Sequence, residues 1–402
     1  MKKCITAGLL ALAMLVSCKQ NYKMGTYGFD KQFLASHGIE TVELCSPDGL
    51  ARALVVPAWQ GRVATSTTGG EKGPSYGWFN KRFIEEGKIV EQINPYGGEE
   101  RFWIGPEGGP FSWYFAKGVE QVYKNWFVPS VIDTEAFDLE SSSAGSAVFS
   151  KRFSLKNASD VNFDMSVRRV VTLLSREEIE TLLGIRLPEA VRIIGYRTDN
   201  NIENVGPFAW NTATGMPSVW LLGCFNPTPT TTVFIPYEKS FAGKPVNDMY
   251  FGKVPSDRLI LEDGTAYFKI DGEYRSKIGL PKGSAKDVCG SYDSATHTLN
   301  ILKYTVPEGD AVYVNGQWGP QEDPFCGDVI NSYNDGVNDS GDIMGPFYEI
   351  ETSSPAAALQ PGQSLTHSQT TIHMEGDESL LSAVAEQIFG VSLEKVSGMF
   401  RK

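Results

Sequence analysis

The sequence predicts an all-β protein, one large and mostly antiparallel sandwich with a few short helices. Three observations carry that prediction. Between about residue 25 and residue 375 the apolar residues fall in short runs, many alternating with polar ones as strands require. The 41 Gly and 22 Pro among 402 residues supply turns between those runs. Helical periodicity with proper start and stop signals occurs in only two places. No fixed-period repeat and no Gly/Ser- or Pro-rich linker divides the chain, so residues 41–402 read as a single domain. A 41% hydrophobic content is enough for a large core and excludes general disorder. The 36 Lys and Arg against 48 Asp and Glu give a net charge of −12, which argues against a nucleic-acid partner.

The chain begins with an address. Lys2 and Lys3 precede an apolar run over residues 5–16, too short to span a bilayer, followed by Leu15-Val16-Ser17-Cys18. Residues 1–17 therefore read as a signal peptide, and the tetrad resembles the lipobox at which bacterial lipoproteins are cleaved. Cys18 is the expected lipidation site, with residues 18–40 as a lipid-anchored tether and the membrane reached through lipid alone. Residues 19–24 lack the acidic run of some surface-exported lipoproteins. The expected location is thus the envelope of a Gram-negative-type bacterium, at the outer membrane and facing the periplasm.

Residues 51–63 (ARALVVPAWQGRV) read as a strand, a Pro-containing break and the start of a second strand. Residues 147–155 and 162–174 alternate as a further two strands. In residues 296–306, Leu302, Tyr304 and Val306 share one face and Leu299 and Ile301 the other, as in a sheet packed on both sides. Residues 347–351 and 364–373 read as a hairpin pair around the turn Gln360-Pro361-Gly362-Gln363. Ser175-Arg176-Glu177-Glu178 is a capping box for a short helix that Gly184 ends. Asp377 is placed to cap a C-terminal helix over 377–389, with Leu380, Leu381, Val384 and Ile388 on one face and Gly390 at its end. Beyond Cys4 and Cys18, the thiols Cys45, Cys224, Cys289 and Cys326 show no C-x-x-C or metal-ligand spacing, and either free thiols or one bridge fits. Neither a metal nor a cofactor is expected.

Three segments read as candidate sites. Residues 94–115 (NPYGGEERFWIGPEGGPFSWYF) set Glu99, Glu100, Arg101 and Glu107 beside Trp103 and other aromatics. Rings stack on the C–H faces of a sugar, while charged groups bond its hydroxyls; the alternative is a Gly-rich connection with core aromatics. Residues 200–220 add Asn211 among amides and tryptophans, with plain turn formation as the alternative. Residues 327–351 offer Asp328, Asn331, Tyr333, Asn334 and Asp335 as a polar lining, without the D-x-[DN]-x-[DN]-G pattern of a calcium loop. Glu349 and Glu351 share a strand face, as do His367 and His373. Pairing across the expected hairpin would bring a Glu beside a His as an acid–base couple.

Three stretches carry a resemblance: VVPAWQGRV (55–63), NPYGGEERFWIGPEGG (94–109) and FYEIETSSPAAALQPGQS (347–364). Over roughly residues 41–376 the chain resembles the galactose-mutarotase-like superfamily, and within it a group of bacterial lipoproteins of unknown function. The resemblance implies a β-supersandwich with a sugar cleft, Glu351 as the general base and Arg101 as a holder of sugar hydroxyls. The family's histidine acid has no counterpart in residues 200–220 or 99–115; His367, His297 or a tyrosine would have to stand in. The expected function is lipid-anchored carbohydrate binding. One alternative is an aldose epimerase-like isomerase with Glu351 as base and His367 as acid; another is a non-catalytic structural envelope lipoprotein.

Overall fold

A computed structural model describes residues 21–338 and 341–401. In chain order its elements are α1 (Tyr27–Ser36), β1 (Val42–Cys45), β2 (Arg52–Val56), β3 (Arg62–Thr67), α2 (Lys81–Glu86), β4 (Arg101–Gly105), β5 (Asp138–Ser142), β6 (Ser146–Lys156), β7 (Asn162–Leu173), α3 (Arg176–Leu183), β8 (Arg192–Asn204) and β9 (Ser218–Phe225). They continue with β10 (Thr231–Pro236), β11 (Leu259–Glu262), β12 (Thr265–Lys269), β13 (Ser276–Pro281), β14 (Val288–Asp293), β15 (Thr298–Tyr304), β16 (Asp328–Asn334), β17 (Tyr348–Ser353), β18 (Ser364–Glu375), α4 (Glu378–Phe389) and α5 (Leu393–Gly398). A ten-stranded sheet runs β11-β12-β10-β14-β15-β18-β8-β7-β6-β5, a five-stranded sheet runs β13-β16-β17-β9-β4, and β1-β2-β3 form a small third sheet. The protein is thus an all-β sandwich with a few short helices.

The two large sheets bury one face against each other. Phe102, Ile104, Val219 and Leu221 of the smaller sheet meet Phe149, Val167, Val171 and Ile202 of the larger in one apolar cluster. Ile278, Ile330 and Ile350 meet Val233, Phe268 and Leu302 in a second. On the outside of the ten-stranded sheet, α3, α4 and α5 place Ile179, Leu381, Val384, Leu393 and Val396 over Leu299, Ile301, Ile372 and Met374. The two apolar faces expected of residues 296–306 are therefore both used: Leu302 and Tyr304 inward, Leu299 and Ile301 under the helices.

Local signals translate directly. Pro57–Trp59 form a single 3-10 turn between β2 and β3, closed by Gln60 and Gly61 with φ of 60° and 63°. A Cβ on Gly61 would stand 2.6 Å from the Phe149 ring, so glycine is needed for packing as well as for conformation. The Ser175 capping box forms in full, and Gly184 ends α3 in the left-handed region. Gly390 ends α4 the same way, whereas Asp377 holds the N-cap position without a side-chain hydrogen bond. All four remaining thiols are free.

Two expectations are corrected. Residues 18–40 are not a tether throughout, because α1 buries Tyr27, Phe33 and Leu34 against Leu54, Val56, Trp59 and Phe79. The packed part of the chain thus reaches back to residue 27, while the proposed signal peptide and Cys18 lie outside the described residues. Residues 347–351 and 364–373 are not a hairpin. β17 pairs with β16 and β9 in one sheet, and β18 with β15 and β8 in the other. The turn at Gln360–Gln363 forms, with Gln363 N–H donating to Gln360 O, but it lies on a crossover between sheets.

That crossover puts a polar seam between the apolar clusters. His367, Gln369, Thr371 and His373 alternate inward along β18. His373 Nε2 lies 2.9 Å from Glu99 Oε1, and its Nδ1 lies 2.6 Å from Asn300 Oδ1. Glu100 pairs with Arg169 at 2.9 Å and accepts from Gln369 Nε2, with both charged groups fully buried. Breaking such a pair by deleting one partner strands the other charge in a medium that solvates it poorly. Arg169→Ala should therefore cost about 3–5 kcal/mol of stability, read as a lowered urea midpoint, with much of it regained in Glu100→Met/Arg169→Met. A single variant as stable as the parent would show that the seam does not hold the sheets.

A polar cleft over the five-stranded sheet

Strand alternation decides which residues meet outside the sandwich. In β17, Glu349, Glu351 and Ser353 turn away from the core while Ile350 and Thr352 turn into it. Cross-strand register aligns Glu349 with Tyr333 and Cys224, Glu351 with Asn331 and Leu222, and Ser353 with Trp220. The same register places Arg101 opposite Leu222, Trp103 opposite Trp220, and Lys277 opposite Tyr333. One face of the sheet therefore carries Arg101, Trp103, Trp220, Lys277, Asn331, Tyr333, Glu349 and Glu351 together.

Each acid on this face has a cation. Arg101 Nη2 lies 2.9 Å from Glu349 Oε1, which also accepts from the Cys224 thiol at 3.1 Å. Lys277 Nζ lies 2.8 Å from Glu351 Oε2, and Trp220 Nε1–H donates to the same oxygen at 2.9 Å. The Arg101 guanidinium stacks on Trp103 at 4.1 Å, and the Trp103 and Trp220 rings meet edge to face at 5.5 Å. Lys277 Nζ is 5.2 Å from the rings of both Trp220 and Tyr250. Four buried polar atoms on this face have no hydrogen-bond partner: Glu351 Oε1, Arg101 Nε, Trp103 Nε1 and Ser218 Oγ.

Loops roof this face. The turn after β4 brings in Glu107 because Gly108 lies flat on the 315–318 loop, where a Cβ would stand 2.2 Å from Gln317 O. Tyr250 OH donates to Asp328 Oδ2 at 2.6 Å and accepts from Asn331 Nδ2 at 3.0 Å. The half-open space between roof and sheet is about 30 Å³, room for one hydroxyl-sized group, with Glu107, Trp220, Tyr250, Lys277, Asp328 and Asn331 in its lining.

The charges are coupled. Burial pushes the Glu107 carboxyl up to about 7, with Lys277 opposing and Glu351 adding to the rise. Burial likewise lifts Asp328 to about 6 against its bonds from Tyr250 and Asn247. Burial works to lower Lys277, yet Glu351 and Glu107 together hold it above its ordinary value. For Glu349 burial raises the carboxyl and outweighs the opposing Arg101. The cleft thus combines a carboxylate locked to an ammonium with a second carboxyl that is half-protonated near neutrality.

Of the residues expected at a site, Arg101, Trp103, Glu107, Asp328, Asn331 and Glu351 gather on this face and its roof. Tyr333 lies on the same face but packs with Trp78 and Phe347 and donates its hydroxyl to Asp335. Asp335 also accepts Gly345 N–H, which makes it a loop anchor. Asn334, one residue out of phase, points the other way and bonds Gly272, Asp271 and Tyr274. Asn211 is exposed and caps its own turn by accepting from Ala213 and Thr214, so the turn reading applies. Glu99 and Glu100 belong to the seam inside the sandwich and do not reach the cleft.

His367 is also corrected. It lies inside the sandwich, where Thr352 Oγ1 donates to Gln369 Oε1 at 2.7 Å, so His367 Nε2–H donates to Thr352 at 2.9 Å. Burial pushes this imidazole down to about 3, leaving it neutral. The expected Glu351–His367 couple does not form because Glu351 leaves the outer face of the five-stranded sheet, whereas His367 projects from the ten-stranded sheet against its inner face. The sequence reading missed Lys277 and Tyr250. For Lys277 a signal existed: it is the one charge in β13, a strand otherwise of Ser, Ile, Gly, Leu and Pro.

Among solved structures, the Slr1438 protein from Synechocystis sp. PCC 6803 is similar over 84% of this chain and 96% of its own, at 12% identity and a TM-score of 0.52. A putative aldose 1-epimerase from Escherichia coli K12 covers 84% and 99% of the two chains at 12% identity, with a TM-score of 0.47. A galactose mutarotase-like protein from Lactobacillus casei ATCC 334 covers 84% and 99% at 10% identity, with a TM-score of 0.44. The likeness to the Synechocystis protein shows a shared fold and nothing of its chemistry. None of the curated proteins compared with the chain matches it. A family model does match, over residues 25–400, and by it this chain belongs to DUF6786, a family of unknown function.

Proposed function

We propose that this chain is a carbohydrate-binding protein whose ligand enters the cleft over the five-stranded sheet. One observation carries the reading: Glu351 Oε1, Arg101 Nε and Trp103 Nε1 are buried without partners beside two tryptophan rings. An acceptor and two donors next to a pair of edge-to-face tryptophans match a hydroxyl-bearing ring better than an apolar ligand, which would leave all three unsatisfied. The half-open space admits a hydroxyl, so the sugar inserts one edge and rests the remainder at the mouth. The chain should give a saturable calorimetric signal with at least one sugar of a broad panel. Glu351→Gln should weaken it about tenfold or more, because the lost charge also frees Lys277. Silence across the panel would leave the structural-lipoprotein reading ahead.

A second reading is favoured by Glu107. Anomer interconversion needs a base for the anomeric hydroxyl proton and an acid for the ring oxygen; Glu107 lines the cleft, and Glu351 lies close enough behind Lys277 and Trp220 to act on its charge. Because its carboxyl is raised to about 7, Glu107 is protonated below that pH and loses its proton above it. Activity should therefore fall as pH rises through about 7, and Glu107→Gln should remove that limb along with about 10²–10⁴ of the rate. Polarimetry or NMR of free aldoses reads both; a rate unaltered in Glu351→Gln rules the isomerase out.

The anchoring remains part of the proposal and is supported by Leu15-Val16-Ser17-Cys18 after a basic, apolar leader. Cys18→Ala should move the protein from the membrane to the soluble fraction, and a variant still sedimenting with membranes would count against a lipid on Cys18.

A further inference from the structure

Beside the cleft lies a groove that none of this accounts for. It has a volume of about 410 Å³ and is lined by Phe251, Glu273, Tyr274, Arg275 and Val337. That size is within the usual range for small-molecule sites. Groove and cleft are neighbours through two pairs of nearby residues. Arg275 stands two positions before Lys277 at the entry to β13, and Phe251 directly follows Tyr250. The aromatic–cation contact is repeated in both: Lys277 lies 5.2 Å from the Tyr250 ring, and the Arg275 guanidinium 3.9 Å from the Phe251 ring. Phe251 in turn meets Tyr333 edge to face at 5.9 Å, and Tyr333 is the register partner of Lys277.

The two cations differ in how they are neutralised. Lys277 is paired with Glu351, whereas Arg275 has no carboxylate within 4.0 Å among the described residues. The acid nearest in the network, Asp335, is already engaged by Tyr333 OH and Gly345 N–H. The other arginine here, Arg258, sits 4.8 Å over Tyr274 and is spent on a two-pronged contact with Asp271 at 2.9 and 3.0 Å. Arg275 thus holds its guanidinium over the Phe251 ring, without an ion pair among the described residues and coupled to Asp335 only through the longer-range Coulomb field. A planar guanidinium held this way presents parallel N–H donors suited to a carboxylate. Phe251 and Tyr274 are 46% and 41% exposed, which leaves ring faces for the C–H face of a sugar.

We infer that the groove is a second subsite, which takes a carboxylate-bearing sugar unit through Arg275, Phe251 and Tyr274, so that the ligand is an acidic oligosaccharide. The inference rests on the carbohydrate reading of the adjoining cleft and adds the class of sugar. One uronate unit lays its carboxylate on Arg275, and the next inserts a hydroxyl toward Glu351. Glu273 at the rim accepts hydroxyl donors and disfavours a carboxylate placed on its side, which fixes the orientation.

The test is calorimetry on the full chain with short oligomers of galacturonate, glucuronate and mannuronate, each beside its carboxyl-reduced neutral counterpart. At least one acidic oligomer should bind about tenfold or more tightly than its neutral form, as expected for a two-pronged charged contact. Arg275→Gln should erase that preference while leaving the neutral affinity in place, Arg275→Lys should retain part of it, and Phe251→Ala should weaken both forms. Equal binding of acidic and neutral oligomers, or a preference untouched by Arg275→Gln, overturns the subsite and leaves the cleft reading standing. Absence of binding by every oligomer, acidic or neutral, and by the simple sugars overturns both.

Discussion

Buried charge, and the need to give it a partner from a distant part of the chain, is the constraint on which this molecule depends. Glu100 reaches Arg169 on β7, Glu99 reaches His373 on β18, Glu349 reaches Arg101 on β4 and Glu351 reaches Lys277 on β13. Each pair joins segments distant in sequence: two link strands of the smaller sheet, and two link the segment just before β4 to the larger sheet. Net stabilisation from such pairs is small, since desolvation offsets most of the attraction, but leaving any one of them single is costly. Their value is therefore in selection: a register slip of one residue in β17 would bury Glu349 and Glu351 among Ile330, Ile278 and Leu221.

The same alternation links core and cleft. Along 349–352 the side chains go outward to Arg101, inward to the core, outward to Lys277, then inward to His367 and Gln369. One strand thereby positions both the seam and the candidate site. The cleft inherits rigidity from a sheet packed on its far side, while its roof is loop. Precise groups on strands and adaptable cover on loops are the division of labour expected of a binding site.

Much of the fold was legible because its signals are local. The break at Pro57, the box at Ser175, the stops at Gly184 and Gly390 and the two-faced strand at 298–304 each depend on residues within a few positions of one another. The supposed hairpin of 347–351 with 364–373 failed for the opposite reason. A good turn at Gln360–Gln363 specifies that the chain reverses, not which sheet the next strand joins, and ten intervening residues are enough to change sheets. Among the site residues, alternation correctly put Glu349 and Glu351 on one face, whereas Asn331 and Asn334, expected in one lining, point opposite ways. It gave no hint that His367 would sit behind the sheet or that Asn211 would spend its side chain on its own turn.

From sequence alone follow the all-β class, the turns and helix ends, the acidic surface balance and the pairing of Glu349 with Glu351 on a common face, because each is a property of composition or of near neighbours along the chain. Tertiary structure alone decides which cation each glutamate meets, that Lys277 and Tyr250 enter the cleft, that Glu99 and Glu100 do not, and that Arg275 forms no ion pair among the described residues. Those outcomes turn on register between strands up to some 250 residues apart, and on desolvation, which acts through every atom that surrounds a charge. Neither quantity is written in any short stretch of the chain.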